Sequence, residues 1–253
     1  MIVKGSTVLV TGANRGLGQA IVDALREAGA AKIYAAARRI DTVAPAERVA
    51  PIMLDITDPA QVEAAATRCG DVNILINNAG IASFTPALGA PTVENARREM
   101  ETNYFGTLSM CRAFAPILKN NGGGAIVNIL SVVSWFNVPL QATSCASKAA
   151  EWSLTKAVRF ELRGQGTFVA GVYAGYIDTD MTADLAAAKS APAMIAATIL
   201  AGIESGIEDI LADERARSVS AELRKDDRGF DANMQKLWDE TQRRNALPQD
   251  AAR

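Results

Sequence analysis

The sequence predicts an α/β protein: a doubly wound parallel sheet with helices on both faces, and a helical extension at the C-terminus. Three observations carry that prediction. Short apolar runs rich in β-branched residues recur along the chain; stretches with helical spacing separate them; and the runs are apolar nearly throughout rather than alternating. Strands of that kind are buried on both faces, and parallel neighbours need crossover connections, usually helices.

The elements follow in order. STVLVTG (6–12) reads as the first strand, and residues 16–28 as a helix, with Ala20, Ile21, Ala24 and Leu25 spaced to cover one face. Further strands are KIYAAA (32–37), VAPIML (49–54), VNILINN (72–78), GAIVNIL (124–130) and TFVAGVY (167–173). Helices are expected over 58–69, 92–119, 142–163 and 191–205. With no repeat and no low-complexity linker, residues 1–206 read as one unit and 207–253 as a C-terminal strand and helical extension of the same domain. Within the latter, EDILADERARSVSAELRKDD and FDANMQKLWDETQRRN are charged, helical in pattern and read as solvated, and the closing QDAAR as frayed.

Composition narrows the function. The 253 residues are 49% apolar and 21% charged, with a net charge of −2, which favours neither a nucleic-acid nor a membrane-surface partner. There is no histidine, so a histidine-based triad or a histidine-ligated metal is excluded, and no metal site is expected. Cys69, Cys111 and Cys145 are odd in number and widely spaced, as reduced thiols would be. No signal-peptide core and no 18-residue apolar span is visible, so a soluble, cytoplasmic protein is expected.

VTGANRGLGQA (10–20) joins the first strand to the first helix. Gly12, Gly16 and Gly18 permit a tight turn and close backbone approach, and the helix start offers unpaired N–H groups to a phosphate; Asn14, Arg15 and Leu17 share that turn. The spacing Gly-x3-Gly-x-Gly differs from the G-x-G-x-x-G fingerprint, and a glycine turn alone is weak evidence. An NAD site places an acid about 20 residues further on, at the end of the second strand, for the ribose 2′-hydroxyl. That place reads AAARR, and Arg38 and Arg39, with Arg15, suit a 2′-phosphate, so NADP(H) is preferred over NAD(H).

These segments resemble the short-chain dehydrogenases/reductases. TGANRGLG resembles that family's cofactor turn, LDITD its adenine-side aspartate (Asp55, with Ile56), and INNAG the segment carrying Asn78, Ala79 and Gly80. ETNYFGT supplies Asn103, IVNILS supplies Ser131, SCASK supplies Lys148, and YAGYIDTDM supplies Gly175, Ile177 and Thr179 beside the nicotinamide. The resemblance runs from about residue 6 to 185 and implies a Rossmann-type fold and hydride transfer between nicotinamide and a carbonyl or secondary alcohol. In such enzymes a tyrosine exchanges the proton, the lysine lowers its pKa and holds the ribose, the serine binds the substrate oxygen, and the asparagine positions a water.

Two positions depart from that pattern. Ala174 replaces a proline, and Ser144, four residues before Lys148, stands where the tyrosine belongs. An alkyl hydroxyl is a far weaker acid than a phenol (pKa about 10) and sits several ångströms short of its reach. Losing a positioned acid typically costs roughly 10²–10⁴-fold. The expectation is therefore an active-site variant, with catalytic positions Asn103, Ser131, Ser144 and Lys148 and strongly reduced activity. A non-catalytic NADP(H)-binding regulatory protein is the alternative, and a Ser/Lys hydrolase a remote one. Tyr173 and Tyr176 are candidates to replace the phenol. Ser83, Phe84, Thr85, Ser134, Trp135, Phe136, Val138, Gln141 and Tyr176 are candidate pocket residues for a medium-sized apolar or aryl substrate, although Trp135 and Phe136 fit loop packing equally well. Residues 180–195 read as a flap, the missing family glycine-rich end puts a tetramer contact in doubt, and a homodimer is the default.

Overall fold

All four residues of Ile74–Asn77 and all five of Ala125–Ile129 are buried, as central strands of a sheet covered on both sides must be. The computed structural model describes residues 2–246. In chain order its strands are β1 (Thr7–Thr11), β2 (Lys32–Ala37), β3 (Val49–Met53), β4 (Ile74–Asn77), β5 (Ala125–Ile129), β6 (Phe168–Tyr173) and β7 (Asp209–Leu211). They form one sheet, parallel throughout, in the order β3-β2-β1-β4-β5-β6-β7. The order reverses between β1 and β4. In open parallel sheets the crevice at such a reversal, beyond the carboxyl ends of the strands, is where ligands bind.

Side-chain alternation sorts the core into two layers. Val8, Val10, Ile74 and Ile76 face α1 (Gly16–Glu27) and α6 (Pro192–Glu204), which contribute Ile21, Leu25, Ile195 and Ile199. Leu9, Leu75, Ile126 and Val169 face α2 (Pro59–Arg68), α4 (Thr107–Asn120) and α5 (Ala142–Leu162). The start of α2 shows why the chain turns helical there: Asp58 Oδ1 accepts from the N–H groups of Ala60 and Gln61, and Pro59 occupies the first turn, where its missing donor costs nothing.

The single helix expected over 92–119 is three pieces. α3 (Glu94–Glu99) runs through a π-helical segment, Met100–Gly106, into α4. A π segment widens the turn and is common at functional sites. Here Gly106 lets Ile56 lie against the helix backbone, since a Cβ at that position would come 2.7 Å from the Ile56 side chain.

Two readings of the C-terminal region need correction. Asp209–Leu211, inside the stretch read as helical in pattern, supplies the strand of the C-terminal extension instead: it forms β7 and pairs with Gly171–Tyr173 of β6. The helices that follow, α7 (Glu214–Lys225) and α8 (Asp227–Ala246), are not wholly solvated: Ala216, Val219 and Phe230 are buried against Leu130, Val132 and Tyr173 in a third apolar cluster. The QDAAR terminus lies outside the described residues.

Candidate active site

The glycine turn is held to the neighbouring strand by a latch. Thr11 Oγ1 accepts from the N–H groups of Asn78 and Ala79, both at 3.0 Å, and Asn78 Nδ2 donates back to the carbonyls of Thr11 (2.9 Å) and Gly12 (3.1 Å). Gly12 has φ +63°, a left-handed conformation that favours glycine. Gly18 is held by close approach instead: a Cβ there would lie 2.0 Å from the Gly12 carbonyl oxygen. Gly18→Ala is expected to cost about 1–3 kcal/mol of stability, read as a lower urea midpoint; an unchanged midpoint would show that the turn opens freely. Leu17 is buried in the first core layer, Asn14 is half-buried, and Gly16 packs under Thr179, whose Cγ2 would be 3.0 Å from an added Cβ.

On the adenosine side, Arg38 and Arg39 follow β2 and are exposed, and neither guanidinium has a hydrogen-bond or ion-pair partner among the described residues. Arg15 is instead engaged, 3.0 Å from Asp180 in an exposed pair. Asp55 Oδ1 accepts from the N–H and hydroxyl of Thr57, and Ile56 is buried in the second layer.

The catalytic candidates come together beyond the ends of β4 and β5. Lys148 Nζ donates to the Ile129 carbonyl (2.8 Å) and to Glu151 Oε2 (2.7 Å), leaving one of its three donors. Glu151 is 1% exposed, and Thr107 donates to its other oxygen. Burial pushes the Glu151 carboxyl above the usual range, with Lys148 pulling it back. Asn103, at the centre of the π segment, is fully buried; its Oδ1 accepts from Ile81 N, and its Nδ2 donates to Ile81 O and to Ser147 Oγ. Gly80 lies beside both groups: a Cβ there would be 3.2 Å from Asn103 Oδ1 and 3.6 Å from Lys148 Nζ. Ser131 is half-buried, 3.4 Å from the Ala174 carbonyl.

Ser144 has a partner that sequence reasoning missed. Its hydroxyl donates to Glu99 Oε1 at 2.5 Å, and Ser83 N donates to the same oxygen. Glu99 is fully buried, and its Oε2 has no hydrogen-bond partner. Around Ser144, Thr85 and Thr143 share a hydrogen bond of 2.9 Å, Gln141 donates to the Tyr176 hydroxyl, and Phe84 takes a left-handed backbone, φ +49°.

Two aromatic candidates point elsewhere. Trp135 stacks on Tyr173 with ring centroids 4.3 Å apart, and Phe136 packs edge-on against Phe230 of α8. Both therefore serve the packing of the C-terminal helices. Tyr173 is buried, its hydroxyl turned to Asp209, and burial pushes its pKa up, so it is removed as a substitute acid. Asp213 was also missed. One of its oxygens accepts from Gly175 N and Ser190 Oγ while the other caps α7 at Ala216 N, tying the Gly175 segment to the C-terminal helices. Ile177 pairs with Ser190, closing the base of the loop expected to be a flap.

A seven-stranded parallel sheet with a glycine turn at its reversal point defines a dinucleotide-type α/β protein, and the comparisons make that specific. The short chain dehydrogenase family matches residues 6–190, and the chain belongs to that family. A short chain dehydrogenase from Burkholderia cenocepacia, solved in complex with NADP, superposes with a TM-score of 0.90 at 40% identity, over 92% of this chain and 99% of that one. A relative from Burkholderia phymatum, solved with NAD, shares the fold at 22% identity and TM-score 0.80, over 89% and 95% of the two chains. Among curated proteins, the NADP-dependent 3-hydroxy acid dehydrogenase of Schizosaccharomyces pombe is 28% identical over 193 residues, 71% of this chain and 74% of that protein. These findings support an oxidoreductase family that uses a nicotinamide cofactor. Among the described residues no helix is long and apolar enough to cross a membrane, and no group of metal-ligating side chains occurs.

Proposed function

We propose that the protein is an NADP(H)-dependent oxidoreductase that interconverts a carbonyl and a secondary alcohol, with proton transfer weakened by serine at position 144. The observation that carries this reading is the convergence of Lys148, Asn103 and Gly80 beside the latched glycine turn, with Lys148 retaining an uncommitted donor. The residues fit the cofactor. Gly12 and Gly18 leave a cradle that a side chain would fill, the start of α1 offers N–H groups to phosphate, and Arg38 and Arg39 offer free cations to a 2′-phosphate. Asp55 and Ile56 would flank the adenine, Lys148 would hold the nicotinamide ribose, and Gly175, Ile177 and Thr179 would line the nicotinamide side. The bound cofactor would supply the two-electron redox chemistry. Ser131 would hold the substrate oxygen, and Ser83, Phe84, Gln141 and Tyr176 would border the substrate. The hydroxyl-rich rim of Thr85, Thr143 and Ser144 favours a substrate with polar substituents over the purely apolar one that Trp135 and Phe136 had suggested. We place the protein in the cytoplasm as a homodimer joined through α4 and α5, where Phe160 is 67% exposed.

Calorimetry with both cofactors tests the reading. Arg38→Ala combined with Arg39→Ala is expected to weaken NADPH binding at least tenfold and leave NADH binding within about twofold, since each exposed phosphate contact contributes on the order of 1 kcal/mol. Equal losses for both would remove the 2′-phosphate assignment, and no uptake of either by the unaltered protein would remove the oxidoreductase reading.

A further inference from the structure

We propose that Glu151 is a positioning residue for the nicotinamide ribose: it aims Lys148, and the lysine makes the contact. The inference rests on the oxidoreductase reading above. The inward stripe of α5 runs from Glu151 through Leu154, Val158 and Leu162, the last three buried in the second core layer. An apolar residue at position 151 would extend that stripe. The chain places an acid there instead, buried, with both oxygens engaged. Oε2 accepts from Lys148 Nζ at 2.7 Å, and Oε1 accepts from Thr107 Oγ1, at the start of α4, at 3.2 Å. An enclosed ion pair of this kind adds little stability, because well-packed apolar side chains of similar volume do as well or better. Packing therefore does not account for the acid. The direction of Lys148 does.

A lysine carries its three donors on a flexible four-carbon stem. Two of the Lys148 donors are engaged by the protein, one by Glu151 and one by the Ile129 carbonyl (2.8 Å) at the end of β5. Held at two points, the nitrogen stays beside Gly80, where an added Cβ would lie 3.6 Å from it, with one donor to offer a ligand. Without Glu151 the Ile129 carbonyl is the remaining tether, and the ammonium can turn toward water. The ribose contact would then carry the cost of ordering the side chain, which the present arrangement has already met. The order of support is Thr107 to Glu151, Glu151 to Lys148, and Lys148 to the ribose.

Two calorimetric probes separate aiming from folding. NADP⁺ carries the nicotinamide ribose; adenosine 2′,5′-bisphosphate carries the adenosine and its 2′-phosphate without it. Glu151→Leu is expected to weaken NADP⁺ binding about tenfold, the scale of losing a hydrogen bond to a charged group, and to leave the bisphosphate within about twofold. Glu151→Gln keeps an oxygen that accepts from Lys148, and its amide can donate to Thr107 Oγ1, so NADP⁺ binding should stay within about threefold of the unaltered protein. Thr107→Val preserves shape and removes the hydroxyl that steadies Glu151; a loss of about threefold, confined to NADP⁺, is expected and carries the test if the leucine variant does not fold. Equal losses of both probes would assign Glu151 to structure alone and overturn the proposal. So would unweakened NADP⁺ binding in Glu151→Leu, or in Thr107→Val where the leucine variant is unfolded. A glutamine variant as weak as the leucine one also overturns it, since Lys148 would then need a charge beside it rather than an anchor. No NADP⁺ uptake by the unaltered protein overturns the oxidoreductase reading and this proposal with it, whereas uptake that Glu151→Leu leaves unchanged overturns this proposal alone.

Discussion

Ser144→Tyr is expected to raise carbonyl–alcohol turnover by about 10²–10⁴-fold, the usual contribution of a positioned acid or base. Ser144 is on the first turn of α5, one turn before Lys148, and its hydroxyl is only one methylene from the backbone. A phenol there would extend the acid by several ångströms toward the substrate oxygen. It would also titrate near pH 10, close enough for a neighbouring ammonium to draw it toward working pH. The exchange has a structural cost. Glu99 loses the Ser144 hydrogen bond and keeps only that from Ser83 N, so stability should fall by about 1–3 kcal/mol. NADPH consumption across a carbonyl panel, read beside a urea titration, measures both effects. A folded Ser144→Tyr protein that binds NADPH yet gains no turnover would place position 144 away from the reacting atoms.

Lys148→Met is expected to destabilise the fold by about 3 kcal/mol at pH 8, the scale on which removing one partner of a buried ion pair acts, and by much less at pH 5. Glu151 is buried, and burial already holds its carboxyl above the usual range. A group whose pKa is raised in the folded state stabilises the fold fully below its unfolded value, about 4.3. That contribution is lost as pH rises through the folded value. Lys148 is what lowers the Glu151 pKa, through charge and a hydrogen bond. Without it the folded value climbs further, so the deficit of the variant widens from acid toward alkaline pH. Urea midpoints at the two pH values test this. An equal deficit at both would mean that Glu151 carries no charge in either protein.

The parts of this molecule that were legible in the sequence are those whose signal is local. β4 and β5 are short apolar runs because both their faces are covered, and that condition is written in the residues themselves. The positions of Asn103, Ser131 and Lys148 could be read because the resemblance supplies their order. What was missed depends on partners distant in the chain. Asp209–Leu211 is a strand only because β6 offers an open edge; three residues among acids carry no such pattern. The π segment has the same apolar spacing as an ordinary helix. Glu99 and Glu151 carry no signal of their own in the sequence, and only the packing of α3 and α4 against α5 encloses them. Thr11 lay in the turn motif in plain view, but its role appears only with Asn78 opposite it.

The Thr11–Asn78 latch also bears on how the chain is made. Its halves are 67 residues apart, and β4, which Asn78 directly follows, pairs with β1. At translation rates of about 5–20 residues per second, β1 and its turn leave the ribosome several seconds before β4 can close on them. During that interval one edge of β1 is unpaired, and such edges invite pairing with other chains. Chaperone contacts with β1 in the newborn protein should therefore persist until β4 arrives and then pass to the strand edges that open after it.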